Sequence, residues 1–339
     1  MTSLRIILTA LLALLCAAAQ AGVGLTELPG LAGDGPVTVF YPSGAEAKEV
    51  KRGPFTLNVA WQGAPQKGNA RLVALSHGSG GSPWTYADLA RTLVEAGFVV
   101  AIPEHRGDNF RDMSLVGPPS WRLRPAEVSR AIDAVGKDAR FAPLLSLDRV
   151  GVYGMSAGGH TALTLAGGRW APAQLARHCE AHIAADFQAC VGLATSLKGD
   201  GFDGMRETIA LWVIAWRLSD AAWVSYEDRR VKAVVAGVPY AADFDMASLA
   251  APRVPLGLVI AGQDRWLVPQ FHSGAVRAAC KPCEVVAEMP SAGHGALLSP
   301  FPPKLPDLAA KLLNDPPGFD RKQLPEVDRK IADFFKRHL

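Results

Sequence analysis

The run Arg149-Val-Gly-Val-Tyr-Gly154-Met-Ser156-Ala-Gly158-Gly159-His160 constrains this chain more than any other stretch. Val150, Val152 and Tyr153 read as a short buried strand, and the residues from His160 to Leu165 read as a helix. Gly-x-Ser-x-Gly lies between them. A strand that turns into a helix over so short a distance holds its serine in an unfavourable backbone conformation. Gly154 and Gly158 flank the point of closest approach, where a side chain would find no room. The pattern alone is a weak signal, but a strand before it and a helix after it point to Ser156 as a nucleophile. A serine hydroxyl needs a base to take its proton, and the base needs an acid to hold it. The rest of the chain must supply both.

Taken in order, the chain alternates. Val37 to Tyr41 and Phe55 to Trp61 are β-branched and aromatic, as half-buried antiparallel strands are, and the polar stretch 42–54 between them reads as a surface connection. Arg71 to Ser76 is a continuous apolar run, which predicts a central parallel strand. Trp84 to Glu95 has helical spacing and stops at Gly97, and Phe98 to Ile102 is the next buried strand. Residues 104–124 form a polar loop rich in Gly and Pro. Arg124-Pro125 then opens a helix with Val128, Ala131, Ile132 and Val135 on one face.

After the helix that follows Ser156 the alternation stops. Residues 169–230 hold two cysteines, four of the eight tryptophans and a run that is apolar nearly all round. The rhythm resumes at Val231 to Ala236, Pro255 to Ala261 and Glu284 to Met289, and residues 324–339 read as a closing amphipathic helix. Strands alternating with helices predict an α/β fold, a mostly parallel, doubly wound sheet covered on both faces. The interruption at about 169–230 is expected to be a helical cap inserted into a single domain spanning 22–339.

The first residues carry one charge, Arg5, then an apolar stretch from Ile6 to Leu15 and an Ala-x-Ala site ending at Ala21. That is the pattern of a secretory signal peptide over residues 1–21, too short to span a bilayer stably. Acylation at Cys16 is a weaker reading, because Leu15 is bulky where such sites take small residues. Export implies a periplasmic or secreted protein, with no stable membrane anchor once the leader is removed. A formal net charge of +3 is too near neutral to argue for nucleic acid or acidic surfaces. Cys179, Cys190, Cys280 and Cys283 remain after residue 21, an even count that favours two disulfides in an exported chain. Proximity in sequence suggests Cys179–Cys190 and Cys280–Cys283, although four cysteines allow three connectivities. Cys280-Lys-Pro-Cys283 as a zinc or redox site is the rival reading; zinc needs a second pair, and no thioredoxin-like pattern surrounds it.

Several histidines follow Ser156. His160 lies one turn along the elbow helix, His178 and His182 fall in the interruption, His272 falls in a predicted helix, and His338 is near the end of the chain. His294, flanked by Gly293 and Gly295, follows the last buried strand and is the expected base. Asp264 follows the strand ending at Ala261, at the carboxyl edge where open α/β sheets build their sites, and is the expected acid. Asp243 and Asp245, one strand earlier, are the runners-up. Ser76-His77-Gly78-Ser79-Gly80-Gly81 supplies exposed backbone N–H groups; those of Ser79 and Ala157 are expected to form an oxyanion hole, with His77 bracing the loop. A phosphate cradle is a poor rival, since the loop lacks both a Gly-Lys-Ser/Thr ending and dinucleotide spacing.

His77-Gly-Ser-Gly-Gly, Glu104-His-Arg-Gly107, Gly154-Met-Ser-Ala-Gly-Gly159, Gly262-Gln-Asp264 and Gly293-His294 together resemble the α/β-hydrolase superfamily. The nearest branch is the exported dienelactone-hydrolase-like and platelet-activating-factor-acetylhydrolase-like esterases, matched over roughly residues 70–300. Two departures stand out. Dienelactone hydrolases use Cys where Ser156 stands, and the acetylhydrolases place their acid one strand before the position of Asp264. The resemblance implies a serine esterase acting on a small-molecule ester through an acyl-enzyme, with no metal or organic cofactor. An amidase or peptidase would use the same groups, and an inactive binding protein could keep the same fold. Trp84, Trp121, Trp266 and the face carrying Ile209, Trp212, Val213 and Trp216 either line an apolar pocket or belong to the core.

Overall fold

The computed structural model describes residues 22–339, so the expected signal peptide lies outside the described residues. Ten strands form the sheet: β1 Gly22–Leu28, β2 Val37–Ser43, β3 Lys48–Arg52, β4 Phe55–Trp61, β5 Leu72–Ser76, β6 Val99–Pro103, β7 Val150–Met155, β8 Val231–Gly237, β9 Leu256–Ala261 and β10 Glu284–Met289. Their order is β10-β9-β8-β7-β5-β6-β2-β1-β4-β3. Every pairing from β10 to β6 is parallel, and β2 pairs antiparallel with both β6 and β1. The helices are α1 Ala87–Glu95, α2 Pro118–Lys137, α3 Ala157–Leu165, α4 Pro172–His182, α5 Phe187–Val191, α6 Asp203–Arg217, α7 Met246–Leu249, α8 Ser273–Ala279, α9 Asp307–Leu313 and α10 Leu324–His338.

The continuous apolar runs of β5, β6, β7 and β9 are buried at every position. Side chains alternate across a strand, so a run buried throughout must be covered on both faces. Leu72 and Ala74 of β5 point into a core shared with Val128 and Ile132 of α2 and Ala162 of α3. Val73 and Leu75 point into a second core with Leu89 and Leu93 of α1 and Ile331 and Phe335 of α10. This is the doubly wound arrangement, and it puts the β5–α1, β7–α3, β9 and β10 connections at one sheet edge.

Three local expectations are corrected. Residues 48–52 are no surface connection: they form β3, the outermost strand, which pairs antiparallel with β4 through a turn that holds Gly53 at φ +56°. Its Lys-Glu-Val-Lys-Arg composition hides it from pattern reading, because an exposed edge strand carries charge instead of an apolar face. α2 begins at Pro118, ahead of the expected start at Arg124-Pro125. Two prolines at its first positions need no N–H there, and Pro125 sits inside the helix. β2 was expected to be half-buried but is buried throughout, while β4 keeps buried and exposed positions that mostly alternate. β1, which the pattern did not show, separates β2 from β4.

Residues 169–230 contain α4, α5 and α6 and none of the sheet's strands. A disulfide between Cys179 and Cys190 ties α4 to α5, and a second joins Cys280 to Cys283. Both pairs are those expected from proximity.

Candidate active site

Ser156 caps α3 at φ +58° and ψ −120°, a conformation that side chains other than glycine rarely adopt. Neighbouring backbone holds it there: its N–H donates to the Gly237 carbonyl at 3.1 Å, and its own carbonyl accepts from Tyr240 N–H at 3.1 Å. The glycines of the motif have a steric cause. A Cβ on Gly154 would lie 1.9 Å from the Gly158 carbonyl oxygen, and one on Gly158 would lie 1.9 Å from the Ser76 carbonyl oxygen.

His294 and Asp264 come to the same edge from the ends of β10 and β9. His294 Nδ1 lies 2.7 Å from Asp264 Oδ2, and His294 Nε2 lies 2.9 Å from Ser156 Oγ. The other carboxylate oxygen, Oδ1, accepts from Trp266 N–H at 2.9 Å and Leu267 N–H at 2.8 Å. A carboxylate held on both oxygens orients the imidazole. With Nδ1–H donating to Asp264, Nε2 is left as the acceptor for the serine hydroxyl.

The rival residues lie elsewhere. His160 is buried with its Nε2 3.1 Å from Asp243 Oδ2, so the runner-up acid faces a different histidine. Asp245 caps α7 and pairs with Arg169. His178 and His272 both meet Asp186 Oδ2, at 2.8 and 3.0 Å. That carboxyl falls to about 2: burial alone would raise it, and the two histidine hydrogen bonds outweigh burial.

In the loop after β5, Gly78 N–H donates to Tyr86 Oη at 3.0 Å, Gly80 N–H to Asp108 Oδ1 at 2.9 Å and Gly81 N–H to the Gly78 carbonyl at 3.0 Å. Among the described residues the N–H groups of Ser79 and Ala157 have no such partner. His77 spans the loop, with Nδ1 2.8 Å from the Gly78 carbonyl oxygen and Nε2 accepting His105 N–H at 3.2 Å. Burial, with His105 and Arg124 nearby, holds its imidazole well below the ordinary value, so it stays neutral.

Behind the loop stands a buried ion pair that pattern reading missed. Arg124 Nη2 donates to Asp108 Oδ2 at 2.8 Å, and neither side chain is exposed. Arg124 also donates to the His77 carbonyl at 2.5 Å and to Ser120 Oγ at 3.0 Å, while Asp108 Oδ1 accepts Ser79 Oγ–H at 2.6 Å. Burial alone would raise the Asp108 carboxyl, but Arg124, Ser79 and Gly80 bring it below the ordinary value. A signal for Arg124 exists in the sequence: it falls four positions before Val128, on the face that α2 buries.

Two clefts meet at Ser156. One, of about 590 Å³, is lined by Trp121, Tyr240 and residues of α4, α5 and α6. The other, of about 660 Å³, is lined by the 78–82 loop, Trp84, Met113, Met155 and His294. Trp266 lines both, and Ile209 and Val213 line the first. Trp212 and Trp216 line neither; they are 73% and 71% exposed on the outer side of α6, which answers both alternatives posed for them. Among the described residues no three His, Cys, Asp or Glu side chains are grouped to hold a metal ion.

No protein-family model matches the sequence, and no curated protein matches it. Among solved structures the chain is similar to a ferulic acid esterase from Streptomyces cinnamoneus, at 17% identity and a TM-score of 0.58 over 96% of this chain and 91% of that one. Matches extend to 988 solved chains, so the likeness identifies an architecture that hosts many activities. The fold is of the α/β-hydrolase type.

Proposed function

We propose that this protein is a serine hydrolase that cleaves carboxylic esters through an acyl-enzyme. The observation that carries the reading is the unbroken hydrogen-bond chain from Ser156 Oγ through His294 to Asp264, begun on a strained turn. Ser156 Oγ attacks the ester carbonyl while His294 Nε2 takes its proton. The N–H groups of Ser79 and Ala157 receive the developing oxyanion, and Asp264 stabilises the imidazolium. His294 then gives its proton to the departing alkoxide. Water, deprotonated by the same nitrogen, releases the acid and restores the serine. Within the hydrolases, the motifs resemble the exported dienelactone-hydrolase-like and acetylhydrolase-like esterases; a serine nucleophile and an acid after β9 set this chain apart from both.

The substrate is a small-molecule ester, and the 169–230 segment acts as the cap over it. Residues 1–21 act as a signal peptide delivering the chain to the periplasm or the medium, where its two disulfides would persist. No helix among the described residues is long and apolar enough to cross a membrane.

Turnover of p-nitrophenyl acetate tests the reading. Ser156→Ala and His294→Ala each lose about 10⁴-fold or more in kcat, and their double variant loses no more than either alone. Asp264→Asn loses about 10⁴-fold with the fold intact. Wild-type turnover by Ser156→Ala would refute it.

A further inference from the structure

Resting on the hydrolase reading, we infer that the two clefts divide the substrate at Ser156. The alcohol portion lies in the 660 Å³ cleft and the acyl portion in the 590 Å³ cleft. The preferred substrates therefore carry a large apolar group on each side of the scissile bond.

The assignment follows from where the proton must go. In acylation the bond from Ser156 Oγ to the carbonyl carbon forms and the bond from that carbon to the alcohol oxygen breaks. The serine proton passes to His294 Nε2 and from there to the departing oxygen, so no oxidant or other reactant is needed. The departing oxygen must come within hydrogen-bond reach of that nitrogen. His294 lines only the larger cleft, and the alcohol must therefore leave through it. Water enters by the same vacated side, because the same nitrogen activates it.

The carbonyl oxygen, pointed at the Ser79 and Ala157 N–H groups, fixes the other direction. Ala157 lines only the smaller cleft, whereas Ser79, Ser156 and Trp266 line both. With the alcohol on the His294 side, the acyl chain has the smaller cleft to enter. Its walls include Trp121, Leu175, Ala210, Ile214, Tyr240 and Leu267, an apolar lining. Two arginines also line this cleft: Arg206 is engaged by Asp200 and Asp203, and Arg217 is the exposed last residue of α6. The alcohol cleft is apolar along most of its wall, with Phe55, Trp84, Met113, Met155 and Leu298 along it, and the exposed Glu27, Arg111 and Lys304 and the half-buried Arg52 also line it. Each volume suits a drug-sized group and far exceeds what an acetyl or methyl group fills. Small groups would leave most of the apolar wall in contact with water and forgo its burial.

The test uses two substrate series: p-nitrophenyl esters of acids from acetate to laurate, and acetates of alcohols of increasing size. For the wild type, kcat/KM rises along both. Val213→Trp, on α6 in the acyl cleft, abolishes the rise along the acid series by about tenfold or more and leaves the alcohol series unchanged. Leu305→Trp, in the alcohol cleft, does the reverse. If a tryptophan variant fails to fold, Val213→Ala and Leu305→Ala give the converse readout, each moving the preferred length upward in its own series alone. Flat wild-type profiles, or a variant acting on the opposite series, would overturn the assignment. Ser156→Ala separates the two levels. If it abolishes turnover while the crossover is missing, only the assignment falls; if it keeps turnover, the hydrolase reading falls with it.

Discussion

Asp108→Asn offers the sharpest test of how the loop beside Ser156 is held. In the native protein Asp108 Oδ1 accepts from Ser79 Oγ–H and Gly80 N–H, and Oδ2 accepts from Arg124. Asparagine keeps one oxygen for Ser79 and Gly80, but it turns an NH₂ toward the guanidinium, leaving a fully buried cation unpaired. Breaking one half of a buried pair costs about 3–5 kcal/mol. For a domain of this size that lowers the melting temperature by roughly 5–10 °C. The Asp108→Asn/Arg124→Met double variant removes the stranded charge and recovers most of the loss. Asp108→Ala also frees Ser79 and Gly80, so its kcat falls by about 10²–10³, the usual cost of losing one oxyanion donor. The pH dependence follows from a carboxyl lowered in the fold. The Asp108 contribution is fully present above the ordinary value of 3.8 and is lost as the pH falls toward the lower folded value. The gap between wild type and Asp108→Asn in thermal melts therefore narrows in acid. An Asp108→Asn protein that melts with the wild type at neutral pH, or a double variant no more stable than the single one, would refute the reasoning.

Asp328, buried in α10 with Asp88 nearby, is pushed up to about 7, first by burial and then by that neighbour. A raised folded value means stability that is present below 3.8 and is lost as the pH rises through about 7. Asp328→Asn should remove that decline in melts and stabilise the protein at pH 8 by at most about 4 kcal/mol. Gly158→Ala would drive a Cβ against the Ser76 carbonyl; it should yield no soluble active protein, and a well-folded active variant would contradict the close approach of strand and helix. Trp212→Ser with Trp216→Ser should leave kcat/KM on a soluble ester within about twofold and stability within about 0.5 kcal/mol, since both side chains lie outside the clefts.

The meeting of Ser156, His294 and Asp264 at one sheet edge was legible because all three come from strand ends. Ser156 and Asp264 follow β7 and β9, buried parallel strands that announce themselves as apolar runs, whereas His294 follows β10, a partly buried edge strand, and was readable from its flanking glycines. The two disulfides were equally readable from spacing. β3 was not, because an edge strand is selected for charge and solubility and carries no apolar periodicity. Asp108 sits in a polar loop like any surface aspartate. Only the fold shows that Arg124, more than a dozen residues on, buries its guanidinium against it. The outward turn of Trp212 and Trp216 was hidden for a related reason: α6 carries large apolar side chains on both sides, so its composition cannot say which side faces a cleft.

The central claim is that Ser156 is the nucleophile that His294 activates. The protein is incubated with a fluorophosphonate, digested, and its peptides are mapped by mass. The account predicts one adduct per chain, on the peptide containing Ser156, with no labelling of Ser156→Ala and strongly slowed labelling of His294→Ala. An adduct on another residue, or equal labelling of wild type and Ser156→Ala, would contradict it.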